Sequence, residues 1–294
     1  MQTHGNIQLI TAGEGPNQVY PIVNGYPVVI DFGDSIITLQ SIEKANATSL
    51  IIRKRYKGFY KLIKRLFSPT LKNTRRNVGL LLAELYKRNS KPQVLIIGGG
   101  AIGQGMEPLY NDKEIQIVAF DIYGSENVQF IADAHHIPLP SSHFDGVVIQ
   151  AVLEHVLDPT QVVSEINRVL KQNGFVYAET PFMQQVHEGP YDFTRFTESG
   201  HRYLFQDFDL LSSGFTAGSG TQLLWALEYF VSGFFRSMTA GKIAKLAFFW
   251  LQFLDAIIPD RFNIDAASGV YFLGRKSDES LKAASIVSHY RGAQ

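Results

Sequence analysis

Short, nearly continuous apolar runs alternate with amphipathic segments over residues 93–182. Such runs are typical of strands buried on both faces of a parallel sheet, and the amphipathic segments are typical of the helices that cover it. The pattern therefore predicts a doubly wound α/β domain. Its predicted strands are QVLIIGGG, IQIVAFDI at 115–122, FDGVVIQA at 144–151 and GFVYAETP at 174–181, and its clearest helix runs from Pro159 to Leu170.

The segments that flank this domain have different patterns. The N-terminal segment predicts a small β-rich module without metal-binding cysteines, with a hairpin turn at Asn24-Gly25 and prolines that favour edge strands. A basic helical arm follows, with a helix break at Ser68-Pro69. The predicted units are the module at 1–50, the arm at 51–92, the α/β domain at 93–276 with a helical insertion at about 222–259, and a tail at 277–294.

Composition restricts the chemistry. The 294 residues are 45% hydrophobic and 18% charged, which is typical of a folded chain. The absence of cysteine excludes disulfides, cysteine-ligated zinc, iron–sulfur clusters and a thiol nucleophile. The first residues lack the pattern of a secretory signal, and no run of about 18 or more apolar residues occurs, so we expect a soluble, cytoplasmic protein.

Charge is unevenly distributed, although 27 basic and 27 acidic residues balance overall. Between Arg53 and Lys91 there are 13 Lys or Arg residues and a single acid, Glu84. Such a run fits a solvated helical face, and it also fits contact with an anionic surface such as lipid head groups or a phosphorylated substrate. Peripheral association with an anionic membrane is therefore one hypothesis for the arm.

A glycine turn at Gly98-Gly99-Gly100 follows the first predicted strand and is expected to open a helix. Glycines at such a place let the backbone approach a ligand closely. Asp121 lies 23 residues after Gly98, at the end of the next strand, where a carboxylate can accept both ribose hydroxyls of an adenosyl ligand. These residues predict an adenosine-binding site, and they fit a nicotinamide dinucleotide and a methyl donor equally well.

The motifs after this turn decide between the two ligands. In their order over residues 94–181 they resemble the class I S-adenosylmethionine-dependent methyltransferases, of the small-molecule, UbiE-like type. The resemblance implies a Rossmann-like, mostly parallel seven-stranded sheet with residues 267–276 as its antiparallel last strand. The matching motifs are Asp133-Ala134, Ile137-Pro138-Leu139-Pro140, Phe144-Asp145, Leu153-Glu154-His155-Val156 and Val169-Leu170-Lys171 with Gly174.

Carried over to the matching positions, the resemblance implies S-adenosylmethionine as cofactor and methyl transfer as activity. The implied cofactor-binding residues are Gly98 and Gly100 at the methionine part and ribose, Asp121 at the ribose hydroxyls, Asp133 and the Ala134 amide at the adenine edge, and Gln150 beside the methionine carboxylate and the sulfonium.

Two positions depart from the family pattern. The family usually has an acid two residues before the first glycine, where this chain has Ile96, and a glycine at the position of Ile102, where this chain places it one later, at Gly103. Both departures make the turn more similar to a nicotinamide-binding one. A nicotinamide-dependent oxidoreductase and a non-catalytic adenosyl-ligand-binding scaffold therefore stay open as alternatives.

A polar, aromatic loop at 184–196 follows the GFVYAETP strand, at the sheet edge where α/β sites form. Its Pro-Tyr-Asp-x-x-Arg-Phe run is similar to an acceptor-side element of some family members, although a plain surface connection is the alternative. We predict that His155, Tyr191 and Arg195 bind the substrate and that His187 is the general base. No pair of histidines has metal-ligand spacing on one helix, so no metal site is expected.

Two strongly apolar segments within 223–258, divided at Thr239-Ala240-Gly241, predict helices. They fit a hairpin that caps the core, a homodimer interface or an interfacial membrane element. The acceptor is expected to be a small molecule, a saccharide or a lipid-linked compound, methylated at oxygen. No specific nucleic-acid partner is expected.

Overall fold

The computed structural model describes residues 20–44 and 72–294 of the chain. Within these residues nine strands join in one sheet. The strands are β1 (Ile22–Val23), β2 (Tyr26–Val29), β3 (Gln93–Ile97), β4 (Gln116–Asp121), β5 (Phe130–Ala132), β6 (Phe144–Gln150), β7 (Leu170–Pro181), β8 (Phe208–Ala217) and β9 (Gly269–Lys276).

The strand order across the sheet is β1-β2-β5-β4-β3-β6-β7-β9-β8. From β5 to β7 the neighbours pair in parallel, whereas β9 is antiparallel to both β7 and β8. The chain leaves β3 on one side for β4 and later passes to its other side for β6, which creates the switch point where ligands of such sheets bind. The predicted doubly wound α/β fold is confirmed. The two strands beyond the predicted seven are those of the N-terminal hairpin.

The turn between β1 and β2 is formed by Asn24 and Gly25, with φ of 52° and 85°. Asn and Gly tolerate these left-handed angles better than other residues do. β1 lies at the sheet edge, but β2 does not, because it also pairs in parallel with β5. That pairing uses Val28 and Val29, so the missing amide of Pro27 does not interrupt it.

Helices cover both faces of the sheet. The helix Pro159–Val169 (α4) begins at a strong cap: the Asp158 side chain accepts the amides of Thr160 and Gln161 at 2.9 and 3.0 Å, and Pro159 fills the first position. The α-helices are α1 (Leu39–Lys44), α2 (Lys72–Tyr86), α3 (Glu107–Asn111), α4 (Pro159–Val169), α5 (Glu198–Leu204), α6 (Ser219–Phe234), α7 (Met238–Ala247) and α8 (Asp260–Asp265). Short 3₁₀ helices lie at Leu153–His155, Gly189–Tyr191, Phe249–Ala256 and Ala283–His289.

The hydrophobic core forms two layers, one on each face of the sheet. On one face α4 buries Val162 and Ile166 completely. On the other face α2 buries Val78, Leu81 and Leu85 against β3 and β6. Full burial of a side chain of this size stabilises the fold by about 1.5–3 kcal/mol.

Basic residues of the predicted arm also contact the domain where the structure describes them. Arg76 on α2 donates to the Tyr271 hydroxyl at 2.7 Å, and the Arg88 guanidinium lies 5.1 Å from the centre of the Phe175 ring. The more basic part of the run, residues 53–71, lies outside the described residues. Its helix and its contact with an anionic surface therefore remain predictions.

The glycine turn does not open a helix, contrary to the sequence prediction. The next helix, α3, begins only at Glu107 and has five residues. Gly105 lies between the turn and α3 with φ of +90°, a left-handed angle that a continuous right-handed helix does not accommodate. The turn therefore presents no helix N-terminus to the site.

The division of the apolar insertion was also predicted at the wrong place. α6 ends at Phe234, Arg236 has a left-handed φ of 49°, and the Ser237 hydroxyl caps α7 by accepting the Ala240 amide. Gly241 lies inside α7, where a side chain would overlap Ser232 on α6. The glycine thus allows close helix packing and does not mark a break.

The elements α5 and β8 were not predicted from the sequence. In β8, polar residues interrupt the apolar ones, and several side chains are only partly buried. Such a strand lacks the continuous apolar run that identified the central strands. Among the described helices, none has the length and apolar character needed to cross a lipid bilayer.

Candidate active site

A cavity of about 380 Å³ opens at the carboxyl ends of the parallel strands. This volume is typical of a small-molecule site, and its place at the switch point is the expected one. Its walls include the glycine turn, the ends of β4, β6 and β7, the segment before α1 and one side of α6. Lining residues used below are Gly98, Asp121, Asp133, Ala134, Gln150, His155, Glu179, Tyr191 and Trp225.

The glycine turn forms the floor of the cavity. The amides of Gly98 and Gly99 both donate to the Phe120 carbonyl oxygen at 3.0 Å, which fixes the turn against β4. Gly98 has φ of +77°, and a side chain there would overlap Val152. A side chain at Gly100 would overlap Tyr123 and Asp121, so only glycine fits at these two positions. Gly98 lines the cavity, whereas Gly100 is not among the described residues that line it.

Asp121 lies at the end of β4, as predicted, and faces this turn. Its Oδ2 accepts the Gly100 amide at 2.8 Å, and its Oδ1 accepts the Ile122 amide at 2.7 Å. Each carboxylate oxygen has further lone pairs for acceptance. An oriented carboxylate beside the glycine turn fits the ribose of an adenosyl ligand.

Asp133 and Ala134 also line the cavity, and the Asp133 carboxylate is already engaged. Its Oδ2 accepts the Ser35 hydroxyl at 2.5 Å, while Oδ1 accepts the His135 amide at 3.0 Å and lies 2.6 Å from His135 Nδ1. Burial alone would raise the pKa of Asp133, but these hydrogen bonds outweigh it and keep the pKa below its usual value. Ser35 was not predicted, since its segment is distant in sequence.

A buried polar network supports Gln150 at the end of β6. Gln150 Nε2 donates to Glu179 Oε2 at 2.6 Å, and the hydroxyls of Thr74 and Tyr177 donate to Glu179 Oε1 at 2.5 Å. Burial raises the pKa of Glu179. Sequence reasoning missed Glu179, although an acid within the apolar run GFVYAETP is a signal that could have identified it.

On the acceptor side the structure separates the four predicted residues. His155 and Tyr191 line the cavity, and His155 Nδ1 lies 2.7 Å from the Tyr191 carbonyl oxygen. His187 and Arg195 are not among the described residues that line it. The His187 ring lies behind His155, edge to face, with 5.1 Å between ring centres.

Arg195 holds the loop together from outside the cavity. It forms a two-point ion pair with Asp192 and donates from Nε to the Gln184 carbonyl oxygen at 3.0 Å. Although burial opposes the shift, the hydrogen bonds from Arg195 lower the pKa of Asp192 to about 2. In this arrangement Arg195 positions the loop of Tyr191.

Glu154, in the 3₁₀ helix after β6, is fully buried beside the two histidines. Neither of its carboxyl oxygens has a hydrogen-bond partner among the described residues. Burial raises its pKa to about 8. In the sequence it was noted only as part of the Leu-Glu-His-Val motif, and no role was predicted for its side chain.

Comparisons with known proteins agree with this geometry. Residues 97–178 match the family model described as a methyltransferase domain. The ubiquinone/menaquinone biosynthesis C-methyltransferase UbiE of Geobacter sulfurreducens is 37% identical over 87 residues, which are 30% of this chain and 32% of that protein. The match thus spans about a third of the length of this curated relative.

Two solved structures are similar at lower identity. Phosphoethanolamine N-methyltransferase 2 of Haemonchus contortus, in complex with S-adenosyl-L-methionine, is 17% identical, with a TM-score of 0.45 over 72% of this chain and 54% of that one. The YcgJ protein of Bacillus subtilis is 15% identical, with a TM-score of 0.40 over 69% of this chain and 99% of that one.

The matched region runs from the end of β3 through most of β7. It therefore includes the glycine turn, Asp121, Asp133 and Gln150, and it favours a methyl donor over the nicotinamide ligand that the turn alone allowed. Over residues 97–178 the chain is similar to class I S-adenosylmethionine-dependent methyltransferases, and this similarity supports S-adenosylmethionine as its cofactor.

Proposed function

We propose that this chain transfers a methyl group from S-adenosylmethionine to an oxygen atom of a small, lipid-linked acceptor. The observation that carries the proposal is the arrangement of the cavity. Its lining brings Gly98 and Asp121 together with His155, Tyr191 and Trp225. A donor and an acceptor can thus meet in one cavity.

The donor side is built from residues that the backbone already orients. S-adenosylmethionine, when bound, supplies a methyl group on a positively charged sulfonium. Asp121 would hold the ribose, and Gly98 and Gly100 would allow the backbone to lie against the ligand. Gln150 keeps its amide fixed because Glu179 accepts from its Nε2. Asp121 and Gln150 are thus held by hydrogen bonds before the donor binds, which favours alignment as the main source of rate acceleration.

The acceptor side contributes walls that limit the access of water. Tyr191 and Trp225 supply aromatic surface, and His155 is held by the Tyr191 carbonyl oxygen. His187, predicted as the general base, lies behind His155, and an acceptor in the cavity would meet His155 first. We therefore assign no base role to His187.

A lipid-linked acceptor is supported by the exposed face of the helices next to the cavity. Trp225 on α6 lines the cavity, and the same helix and the following segments expose a series of large apolar side chains. Arg236 and Lys242 lie exposed among them. Aromatic side chains with basic neighbours are typical of surfaces that lie at a lipid interface. The apolar residues are Phe230, Phe234, Phe235, Ile243, Trp250 and Ile257.

Transfer of a labelled methyl group tests this proposal. The purified protein is incubated with methyl-labelled S-adenosylmethionine and with lipid or aqueous extracts of cells. We expect label in the lipid fraction, as a methoxy group by carbon NMR, and none with Asp121→Asn. Label in the aqueous fraction would contradict the lipid-linked acceptor, and a methyl group on carbon or nitrogen would contradict transfer to oxygen.

A further inference from the structure

Three potential metal ligands, Glu154, His155 and His187, lie close together next to the cavity. From the sequence we expected no metal site. Glu154 Oε1 lies 3.6 Å from His155 Nε2 and 3.8 Å from His187 Nε2. One ligand atom from each of the three residues lies within 4.8 Å of the others. Helical spacing of histidines could not reveal this set, because two members are adjacent in sequence and the third comes from the loop after β7.

The carboxylate of this cluster is buried without a hydrogen bond among the described residues. The Glu154 side chain has no exposed surface, and neither Oε1 nor Oε2 has a hydrogen-bond partner among the described residues. His155 Nε2, which faces it, is also buried without a partner. Burial of an unpaired charge or polar atom is costly, whereas a bound cation would satisfy these atoms together.

In both histidines the Nδ1 atom has an oxygen neighbour that orients the ring. His155 Nδ1 lies 2.7 Å from the Tyr191 carbonyl oxygen, and because a carbonyl only accepts, Nδ1 carries the proton and Nε2 presents a lone pair. His187 Nδ1 lies 3.4 Å from the Asp192 carboxylate. A carbonyl or carboxylate on the far nitrogen is the usual support of a metal-binding histidine.

We infer that Glu154, His155 and His187 form a binding site for a divalent transition-metal cation such as Zn²⁺ or Mn²⁺. Two imidazole nitrogens and a carboxylate oxygen suit these ions. Bonds of about 2.0–2.2 Å at angles near those of a tetrahedral or trigonal site separate ligand atoms by roughly 3.3–3.8 Å. The measured separations of 3.6 and 3.8 Å agree with such a site.

Three protein ligands leave at least one coordination position open, as in catalytic metal sites. His155 also lines the cavity, so the cluster lies directly behind the wall that would face the acceptor.

Titration with the metal alone tests the site. The full chain, stripped with a chelator, is titrated with Zn²⁺ in competition with a chromophoric indicator, and separately with Mn²⁺. The absence of cysteine removes thiolates as competing ligands. We expect one equivalent of Zn²⁺ to bind. Glu154→Gln and His187→Ala should each weaken Zn²⁺ binding by at least about 100-fold. Loss of a residue that only supports a ligand through a hydrogen bond costs about 10- to 100-fold in metal affinity.

Two controls make the result decisive. His143→Ala, at an exposed histidine away from the cluster, should bind Zn²⁺ like the parent. Circular dichroism and S-adenosylmethionine affinity should be the same in Glu154→Gln as in the parent, which separates loss of the cation from loss of the fold or of the donor site. Absence of binding by the parent, or parent-like binding by both cluster variants, would overturn the inference.

Discussion

The Gly100 amide donates a 2.8 Å hydrogen bond to Oδ2 of Asp121. This bond joins the turn after β3 to the end of β4, and the Ile122 amide holds the other carboxylate oxygen. The two strands thus set the position of one charged acceptor beside the glycine turn. This relationship underlies the donor site.

Replacing Asp121 should therefore abolish measurable binding of S-adenosylmethionine. Hydrogen bonds from two ribose hydroxyls to a charged acceptor contribute roughly 1.5–3 kcal/mol each, which is about tenfold or more in affinity apiece. Calorimetric titration of Asp121→Asn measures the loss. Glu126→Gln, at an exposed acid, is the matched control. Donor binding by Asp121→Asn at parental strength would show that the donor lies elsewhere.

The Glu179 network gives a prediction for stability. In Glu179→Gln one carboxyl oxygen becomes an amide group that donates, and it would face the donating Nε2 of Gln150. A buried donor left without an acceptor costs about 1–3 kcal/mol, so the free energy of unfolding should fall by that amount. Urea denaturation compares the free energy of unfolding of Glu179→Gln with that of the exposed-site control Glu126→Gln. Equal stability of the two variants would refute the structural role of the network.

His201 predicts a dependence of stability on pH. It is buried on α5 against Thr180, and burial lowers its pKa to about 3. Because the unfolded chain takes up the proton near pH 6.5 and the folded protein does not, stability is fully present above about pH 6.5 and is lost as the pH falls towards about 3. The loss from this residue is on the order of 1 kcal/mol per pH unit.

The check is urea denaturation at about pH 7 and about pH 4.5 for the parent, His201→Gln and the exposed-site variant His143→Gln. His201→Gln should lose less stability between the two values than the other two proteins. If all three lose the same amount, His201 does not cause the dependence.

The apolar face next to the cavity should bind membranes. Co-sedimentation of the full chain with anionic vesicles is expected at low salt, and Phe230→Ser with Phe234→Ser should reduce it at least about tenfold, since each phenylalanine adds roughly 1.5–3 kcal/mol when buried. Val287→Ser, at an apolar residue with 80% exposure outside the α6–α7 segment, is the control. If the parent protein stays in solution, its oligomeric state is measured by light scattering. A dimer that the same double change dissociates would indicate a homodimer interface instead.

The central strands and the donor side could be predicted because their signals are local. A buried parallel strand requires a continuous apolar run, and a close backbone approach requires glycine, as at Gly98. Asp121 follows directly from the end of its strand. These features can be identified in the sequence without knowledge of the rest of the fold.

The remaining features depend on contacts between distant segments. Ser35 and Thr74 reach Asp133 and Glu179 from segments about 100 residues away, and no local pattern marks them. The burial of Glu154 likewise becomes visible only when the loop after β7 folds over it. The place of His187 behind His155 could not be read from the order of the motifs.

The cavity is expected to bind S-adenosylmethionine and not a nicotinamide dinucleotide. Calorimetric titration of the full chain with S-adenosylmethionine, and separately with NAD⁺, measures this preference. We expect one S-adenosylmethionine to bind per chain and no detectable heat with NAD⁺. Binding of NAD⁺ without binding of S-adenosylmethionine would show that the donor site is wrongly assigned.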